Sequence, residues 1–370
     1  MNKMNYKDLC WKFDWLPRSI NEFEDWAKYS EGTRKLVTAI LWWQLWSEGK
    51  WKVISYLAKE FNVAIRWWSP NAWHTVFDEE YREYKLRQIP ATFLNEDCLL
   101  MINSWALIDE EVLRKEVEDT KTKTRLIISP KAWIIEKRHI EAEQGSWIVG
   151  RIWSTGKGCW AALIDRIWRN PEFKFAKDVF DDFLLYDASL IANHAMNYWL
   201  QVLLEWTQWC WLDMIHWPSP YTTSRSTSAA ELCAESGIPA QSLDTVCMVI
   251  RTYPIRVAWN SWPLPNEITW EQLSRKIWKD VEERTTVTNK VRRVWEFDPE
   301  QVKKAILSQD PHYLALNFLD YKFPEDEWVN NFQSLSYEAK RYIFDLENEL
   351  WKPILFIWTW KENSAMIDRR

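Results

Sequence analysis

The sequence is short of glycine, and it holds neither a long apolar run nor a paired-cysteine motif. Only 7 of its 370 residues are glycine, whereas an average chain of this length carries about 26. No run of about 18 apolar residues occurs, and the first residues, MNKMNYKDLC, lack an apolar h-region, so we expect neither a membrane span nor a signal peptide. The six cysteines form no C-x-x-C pair, which disfavours a zinc site or a disulfide framework. We expect a cytoplasmic protein with reduced thiols.

The remaining composition is typical of a globular protein, with 27% charged and 47% hydrophobic residues. The net charge of −6 argues against a surface that coats nucleic acid, and we expect no direct nucleic-acid binding. No linker rich in Gly, Ser or Pro divides the chain. We therefore predict an N-terminal extension of unknown role over residues 1–35 and one large domain over residues 36–370.

Tryptophan is in excess where glycine is short, with 30 residues in the chain. Many of them follow strands or precede helices, as in residues 41–52, which read LWWQLWSEGKWK. These are glycine positions, because glycine reaches positive φ and permits close backbone approach, and tryptophan is least able to replace it. We interpret most of these residues as glycine encoded by UGA and read as tryptophan. Trp270, at a helix start, is interpreted as a genuine tryptophan.

Two alternatives to this interpretation remain. The first is a deliberate Gly→Trp design of the chain. The second is a non-catalytic, Trp-rich binding module that stacks ligands on exposed rings. We call the chain with glycine at the UGA-encoded positions the glycine-restored enzyme.

Apolar periodicity predicts an α/β fold with a mostly parallel central sheet flanked by helices. A strand at Leu36–Leu41 leads through a loop to a helix with an apolar face around Val53 and Leu57, and then to a strand at Asn62–Arg66. Further strands are predicted at Leu100–Ile108, Arg125–Ile128, Gln201–Glu205, Val246–Val257, His312–Leu319 and Pro353–Ile357. Helices are predicted at Asp109–Val117, over about 180–199, and from starts at Thr269 and Asp298.

Five segments carry candidate ligand groups. Residues 44–52 place backbone N–H groups and Lys50 at a helix start, which suits phosphates, although the spacing is not that of an ordinary P-loop. Residues 69–75 place His74 after a strand, where ligands bind in α/β sheets. Residues 153–160 offer hydroxyls and loop amides, and residues 205–224 form the fourth segment. Residues 285–293 combine hydroxyls and cations that suit carboxylates. Each segment alone is interpreted more simply as a solvated loop. The order of the five segments along the chain is what indicates a common function.

In this order the segments resemble the motifs of the adenylosuccinate synthetase family. Those motifs are G-x-Q-W-G-D-E-G-K-G-K, N-A-G-H-T, G-T-T-G-R-G-I-G-P, E-G-A-Q-G…D-H-G…P-F-V-T-S and T-T-G-R-P-R-R. Family glycines fall here at Trp42, Trp46, Trp51, Trp73, Trp153, Trp160, Trp206, Trp209, Trp217 and Trp295. The resemblance covers nearly all of residues 36–370, and it implies a P-loop-related fold and a homodimer.

The resemblance implies a ligase that joins L-aspartate to a 6-oxopurine nucleotide through a 6-phosphoryl intermediate. It assigns catalysis to Ser47, Lys50, His74 and Gln208. The implied donor-binding residues are Trp46, Ser47, Glu48, Gly49, Lys50, Trp51, Asp320 and Trp358. The implied acceptor-binding residues are Ser47, Asn71, Ser154, Thr155, Arg169, Gln208 and Thr223, with Arg169 coming from the other subunit. Thr286, Thr288, Lys290 and Arg292 would hold aspartate. Ser47 and the backbone carbonyl of Trp73 would join the phosphates around Mg²⁺.

Three departures from the family pattern bear on the substrates. Ser47 replaces the family's catalytic aspartate and leaves room for a 2-amino group, as in the phage-type 2-aminoadenylosuccinate synthetase, which acts on dGMP. Lys290 replaces the first arginine of the aspartate loop. Asp320 follows Phe318-Leu319 rather than the guanine-reading Lys-x, which favours ATP or dATP over GTP.

We therefore predict an ATP-dependent ligase that converts dGMP to N6-succino-2-amino-2′-deoxyadenylate, placed in the host cytoplasm if a phage encodes it. The alternative is an adenylosuccinate synthetase that acts on IMP with GTP.

Overall fold

The computed structural model describes residues 6–16, 36–42, 49–67, 69–152, 154–216, 219–256, 266–285, 289–360 and 362–370. Its helices are α1 (Tyr6–Lys12), α2 (Lys50–Tyr56), α3 (Glu110–Thr120), α4 (Lys137–Gln144), α5 (Trp147–Ile152), α6 (Cys159–Ile167), α7 (Ala188–Asn197), α8 (Ala229–Ser236), α9 (Trp270–Ile277), α10 (Pro299–Gln309) and α11 (Tyr337–Leu350). Its strands are β1 (Val37–Trp42), β2 (Val63–Arg66), β3 (His74–Phe77), β4 (Glu83–Leu86), β5 (Leu99–Ile102), β6 (Leu107–Ile108), β7 (Leu126–Ile128), β8 (Trp133–Ile134), β9 (Leu184–Leu185), β10 (Val202–Trp209), β11 (Leu243–Arg251), β12 (Ile255–Arg256), β13 (Glu267–Ile268), β14 (Arg293–Trp295), β15 (Tyr313–Asn317), β16 (Ile354–Trp358) and β17 (Met366–Asp368).

Ten of these strands form one central sheet in the order β17-β16-β15-β11-β1-β10-β2-β5-β7-β9. Its neighbouring strands pair in parallel, except β16 with β17 at one edge. The strands β2, β5 and β7 are buried along their whole length, as expected where helices cover both faces of a sheet. The predicted α/β fold with a mostly parallel sheet is confirmed.

The sheet separates apolar cores on its two faces. Successive side chains of a strand point to opposite faces, and in β1 Ala39 and Leu41 lie in one core while Ile40 lies in the other. The first core includes α7 residues such as Ile191, and the second includes α2 residues such as Ile54. In the described part of the chain the central sheet is therefore covered on both faces, and we expect ligands to reach it at the ends of its strands.

Two predicted helix starts are confirmed in detail. Thr269 caps α9 by accepting a hydrogen bond from the Gln272 backbone N–H, and the Gln272 side chain accepts one in return from the Thr269 backbone N–H. The Asp298 side chain caps α10 by accepting the backbone N–H groups of Glu300 and Gln301, with Pro299 at the first helical position. Both capping side chains accept hydrogen bonds from backbone N–H groups that have no partner within the helix.

The predicted helix over about 180–199 is wrong in its first half. Leu184–Leu185 forms β9, which pairs with β7 at the edge of the sheet, and the helix α7 begins only after its cap, Asp187. A two-residue buried strand has too few positions to show an alternation of apolar and polar residues. The sequence pattern therefore predicts a helix for this apolar run. The predicted strand Leu100–Ile108 is likewise two strands, β5 and β6, separated by a turn at Asn103.

Several elements were not predicted at all. They include the β3–β4 hairpin, the helices α4, α5, α6 and α11, and the edge strand β17. The predicted strand Val246–Val257 is divided between β11 and β12, and Val257 lies outside the described residues. None of the described helices is long and apolar enough to cross a membrane.

The N-terminal helix α1 packs on the first core. Leu9, Phe13 and Leu16 are buried in it, and Tyr6 stacks on Tyr186 with 4.8 Å between ring centroids. His194 of α7 lies 2.8 Å through its Nε2 from the backbone carbonyl oxygen of Trp15. This part of the N-terminal extension is thus an element of the folded body.

Tryptophan ends two of the helices. The residue after α9 is Trp278, with φ 55°, and the residue after α11 is Trp351, with φ 56°. Their exposed fractions are 95% and 71%. A left-handed residue directly after a helix is most often glycine, because a Cβ atom is strained there.

Candidate functional site

The strand β1 lies where the order of the sheet reverses. The chain passes from β1 through α2 to β2 on one side, whereas β10 connects through α8 to β11 on the other side of β1. Ligands of open α/β sheets bind in the crevice at the carboxyl ends of strands at such a point. The segments that follow β1, β2, β10, β11, β15 and β16 all reach this edge.

The segment after β1 ends in a glycine that the fold requires. Gly49 has φ 79°, and a Cβ atom there would lie 2.9 Å from Nδ2 of Asn317. It is the residue before α2, so the next backbone N–H groups and Lys50 stand at a helix N-terminus, where anions are stabilised. The Lys50 side chain is fully buried. This geometry suits the phosphates of a nucleotide.

A cluster of three buried side chains lies beside Lys50. Glu205 of β10 accepts a hydrogen bond from Nη1 of Arg66 at 2.5 Å through Oε1, and the same oxygen lies 2.7 Å from Nδ1 of His74. Oε2 of Glu205 accepts the backbone N–H of Ala91 at 2.6 Å. All three side chains of the cluster are at most 3% exposed.

The charges of this cluster favour a bound anion. Burial would raise the pKa of Glu205, but Arg66 and the hydrogen bond with His74 outweigh it and lower that pKa to about 2. Burial and the charge of Arg66 lower the pKa of His74 to about 3. The cluster together with Lys50 therefore holds two cations, one carboxylate and a neutral imidazole at pH 7, which leaves a net positive charge.

The loop before His74 is anchored by two arginines. Arg66 donates from Nη2 to the carbonyl oxygen of Ala72 at 3.3 Å, and Arg87 donates from Nε to the carbonyl oxygen of Pro70 at 2.5 Å. In this loop Oδ1 of Asn71 accepts a hydrogen bond from the Thr155 hydroxyl at 2.8 Å. Two residues predicted to bind the acceptor nucleotide, 84 positions apart, thus lie in direct contact.

Glu143 holds the loop that contains Ser154 and Thr155. Its carboxylate accepts the backbone N–H groups of Gly158 at 2.8 Å and Trp160 at 2.7 Å. Gly158 has φ 81°, and a Cβ atom there would lie 2.8 Å from the Ile135 side chain, so the turn requires glycine. The Thr155 side chain is exposed at the rim of this turn, and Ser154 is half-buried.

Two further predicted acceptor residues lie on surface turns. Arg169 follows α6 with φ 56° and is exposed, so its guanidinium is available to a neighbouring molecule. Thr223 lies in a loop that Asp213 organises by accepting the backbone N–H groups of Ile215 and Thr227. The backbone N–H of Thr223 donates to the Leu212 carbonyl oxygen at 2.8 Å.

The predicted aspartate loop is closed at its base. The Arg292 backbone N–H donates to the Glu283 carbonyl oxygen at 2.8 Å, and the Thr285 N–H donates to the Lys290 carbonyl oxygen at 2.9 Å. Arg251, at the end of β11, pairs with the Glu283 carboxylate at 2.5 Å. The Lys290 side chain is exposed and Arg292 is largely buried. The described part of this loop therefore holds one exposed and one buried cation.

The predicted donor base site lies after β15 and β16. Asp320 is buried, and its Oδ1 has no hydrogen-bond partner among the described residues. Nζ of Lys279 lies 3.9 Å from its Oδ2. Burial raises the pKa of Asp320 to about 7 against the opposing charges of Lys52 and Lys279. Trp358 is buried at the end of β16, and its indole N–H donates to the carbonyl oxygen of Glu362 at 2.7 Å.

Several predicted site residues lie outside the described part of the chain. These are Trp46, Ser47, Glu48, Thr286, Thr288 and the side chain of Gln208. Trp51 is half-buried in α2, and Trp73 is half-buried beside the Arg87 guanidinium at 5.0 Å. The hydroxyl and carbonyl oxygens proposed for Mg²⁺, at Ser47 and Trp73, are hard ligands of the kind that this ion prefers.

Sequence reasoning missed the residues that support the site. Arg66, Glu143 and Asp213 were not selected, and Glu205 was noted only as the first residue of a segment. A usable signal was present, because a charged residue at the end of an otherwise apolar buried strand needs a partner. Arg66 occupies such a position at the end of β2, and Glu205 directly follows three buried apolar residues inside β10.

A family model and curated relatives match most of this chain. The family model described as adenylosuccinate synthetase matches residues 40–184 and 172–327. The adenylosuccinate synthetase of Methanocaldococcus jannaschii is 35% identical over 341 residues, which cover 90% of this chain and 96% of that protein. That of Archaeoglobus fulgidus is 31% identical over 329 residues, with 87% and 95% covered.

Two solved structures share the fold. The cyanophage S-2L succinoaminodeoxyadenylate synthetase, bound to dGMP and to dATP as energy donor, has a TM-score of 0.75 at 22% identity, covering 91% of this chain and 96% of that one. A fully ligated adenylosuccinate synthetase from Plasmodium falciparum has a TM-score of 0.76 at 21% identity, covering 90% and 100%.

Proposed function

The chain belongs to the adenylosuccinate synthetase family and is a carbon–nitrogen ligase, and we propose that it joins L-aspartate to dGMP with ATP. In the first step O6 of the purine attacks the γ-phosphorus of ATP, N1 loses its proton and ADP leaves. In the second step the aspartate amine attacks C6, phosphate leaves with the C6–O6 bond electrons, and the amine nitrogen loses a proton. The product is N6-succino-2-amino-2′-deoxyadenylate.

The buried positive cluster at the switch point supports the phosphoryl-transfer step. Lys50 and the N-terminal amides of α2 would bind the donor phosphates, and His74 would contact the phosphoryl group as it moves. Such groups accelerate transfer because they are fixed before the charge on the oxygens develops. Mg²⁺, when bound, would neutralise charge between the phosphates.

Ser47 is the residue proposed to select dGMP over IMP as the acceptor. The family's aspartate at this position would face the N1 and C2 edge of the purine, and a serine there leaves space for the 2-amino group of guanine. The cyanophage structure holds dGMP, which supports the same acceptor for this chain. Asn71, Ser154, Thr155, Gln208 and Thr223 would bind the acceptor, with Arg169 of a second copy on its 5′-phosphate in a homodimer.

The donor is proposed to be ATP or dATP. The residue two positions before Asp320 is Phe318, so the lysine that accompanies this aspartate in the family's guanine site is absent from its usual place. The cyanophage structure was solved with dATP as energy donor. Thr286, Thr288, Lys290 and Arg292 are proposed to bind the carboxylates of aspartate.

Ligation of IMP with GTP is the second candidate function. It is favoured by the curated relatives, which are named adenylosuccinate synthetases at 31–35% identity. The substitution at position 47 separates the two candidates, since IMP has no 2-amino group to fill the space beside a serine.

Phosphate release by the glycine-restored enzyme tests the proposal. With aspartate, ATP and Mg²⁺ present, we expect release with dGMP and little with IMP. Ser47→Asp is expected to lower kcat/KM for dGMP at least tenfold and to raise that for IMP, because the restored carboxylate fills the space of the 2-amino group. Unchanged turnover of dGMP by Ser47→Asp would remove this account of acceptor choice.

A further inference from the structure

We propose that Glu205 and Arg66 are positioning residues for His74: Glu205 accepts the hydrogen on Nδ1, and Arg66 holds Glu205, so that Nε2 is the ring nitrogen presented to the bound nucleotides. The proposal rests on the proposed function, because it takes His74 to contact the phosphoryl group. It adds two residues that act on the reaction through His74.

The sheet register places these residues side by side. The strands β2 and β10 are parallel neighbours, and Arg66 is the Cα partner of Glu205 in that pairing. His74 begins β3, eight residues after Arg66. A carboxylate and a guanidinium in facing positions of adjacent strands are held to the precision of the sheet, which a loop cannot provide.

The Glu205 carboxylate is oriented by contacts other than its contact with His74. One oxygen accepts from Nη1 of Arg66 at 2.5 Å, and the other accepts the Ala91 backbone N–H at 2.6 Å. Both oxygens are thus oriented, and Oε1 is left 2.7 Å from Nδ1 of His74. Nη1 of Arg66 also lies 2.7 Å from Nδ1, but its two hydrogens already have two oxygen acceptors, Oε1 of Glu205 and the Ile89 carbonyl. The ionised carboxylate therefore selects the ring form that carries its proton on Nδ1, since a bare nitrogen there would face a negative charge.

Arg66 ties this pair to the substrate loop. Its Nη2 donates to the carbonyl oxygen of Ala72 at 3.3 Å, and its Nη1 donates to that of Ile89 at 3.3 Å. Ala72 lies between Asn71 and Trp73, so the guanidinium that orients Glu205 also fixes the backbone that leads into His74. A lysine at this position keeps the charge but not the fork of donors.

The experiment compares variants of the full-length, glycine-restored enzyme. Glu205→Gln and Arg66→Lys alter the pair, and Glu205→Asp is the conservative variant. Glu116→Gln is the matched control, because Glu116 is also a buried carboxylate but accepts backbone N–H groups of Arg87, Gln88 and Ile89 rather than the histidine. Each protein is assayed with dGMP, ATP and aspartate.

We expect Glu205→Gln to lower kcat about 10- to 100-fold while the KM values for dGMP and ATP change less than twofold. Glu205→Asp should recover part of kcat, and Glu116→Gln should keep the wild-type kcat. Equal losses in Glu205→Gln and Glu116→Gln, or a loss confined to KM, would overturn the proposal, because either result would reflect general damage or weakened binding.

A spectroscopic readout keeps the proposal testable if Glu205→Gln fails to fold. Nitrogen-15 NMR of histidine-labelled, ligand-free enzyme distinguishes a protonated Nδ1 from a protonated Nε2, and His74→Gln identifies the signal among the five histidines. We expect His74 to carry its proton on Nδ1, and a proton on Nε2 would overturn the proposal. An enzyme that shows the expected signal but ligates neither dGMP nor IMP would instead contradict the proposed function.

Discussion

Buried tryptophan side chains occupy two different kinds of environment in the described part of the chain. Trp270 is buried and donates its indole N–H to the Arg292 carbonyl oxygen at 2.6 Å. Trp206 and Trp295 are also buried, but their indole N–H groups have no partner among the described residues. A buried donor left unsatisfied costs about 1–3 kcal/mol. Both positions are glycine in the family motifs, so these rings add a cost that glycine does not.

Peptide mass spectrometry of the protein from its native host tests the UGA interpretation. We expect glycine at positions 278 and 351, where the structure has a left-handed residue after a helix, and tryptophan at position 270. Tryptophan at all three positions would contradict the interpretation. In that case we expect no ligase activity, because indoles at positions 46, 51, 73 and 153 occupy the space of phosphates or backbone turns.

Protonation of His74 makes the free energy of unfolding depend on pH. Burial and the charge of Arg66 lower its pKa to about 3, from the ordinary 6.5. Below pH 6.5 the unfolded chain therefore binds a proton at this residue that the folded chain does not, so stability falls as the pH drops from 6.5 toward 3. The contribution is about 1.4 kcal/mol per pH unit.

Urea unfolding of the glycine-restored enzyme at pH 6.5 and pH 4.5 measures this contribution. His74→Gln removes the titrating group, so we expect the variant to lose about 2 kcal/mol less than the wild type between these two pH values. Glu205, with its pKa lowered to about 2, contributes stability that is lost below about pH 5; this loss occurs in both proteins and is subtracted in the comparison. Equal losses in the two proteins would show that His74 is not held neutral.

Residues with a direct chemical role were easier to predict from the sequence than the residues that hold them in place. His74 and Lys50 were selected through the resemblance of their segments to the family motifs, and their places after a strand and at a helix start are compatible with that role. Arg66 and Glu205 were not, because their partnership is 139 positions apart in the chain and only the pairing of β2 with β10 reveals it. The contact between Asn71 and Thr155 also joins residues that are distant in the sequence, so it too is visible only in the folded chain.

At the scale of elements, the opening β1-α2-β2 unit was predicted closely and the region of β9 was not. The strand β1 is an apolar run of ordinary strand length, and α2 shows a helical period, so both have enough positions for a pattern. The strand β9 has two residues and becomes a strand only by pairing with β7. Its identity depends on a tertiary contact rather than on local sequence.

The helix α1 supplies a prediction about the N-terminal extension. Leu9 is 1% exposed and packs in the first core, whereas Trp11 on the same helix is 90% exposed. We expect Leu9→Ala to lower the free energy of unfolding by about 2–5 kcal/mol, as for other buried leucines. Trp11→Ala is the matched control and should leave it within about 0.5 kcal/mol. Urea unfolding of both variants makes the comparison, and equal effects would mean that α1 does not pack as described.

At the scale of the whole molecule, the order of the motifs in the chain indicates the family, and the sheet explains how they meet. Segments that follow β1, β2, β10 and β15 are distant in sequence but end at one edge of the sheet, because those strands run parallel. Motif order alone predicted neither the ten-stranded sheet order nor the place of the switch point. Both depend on long-range pairing.

A competition assay tests the central claim of this account most directly. The glycine-restored enzyme is given equal concentrations of dGMP and IMP with nitrogen-15-labelled aspartate, ATP and Mg²⁺, and the labelled products are identified by mass. We predict that the label appears in N6-succino-2-amino-2′-deoxyadenylate and not in adenylosuccinate. Label in adenylosuccinate alone would contradict the claim and assign the protein to ligation of IMP.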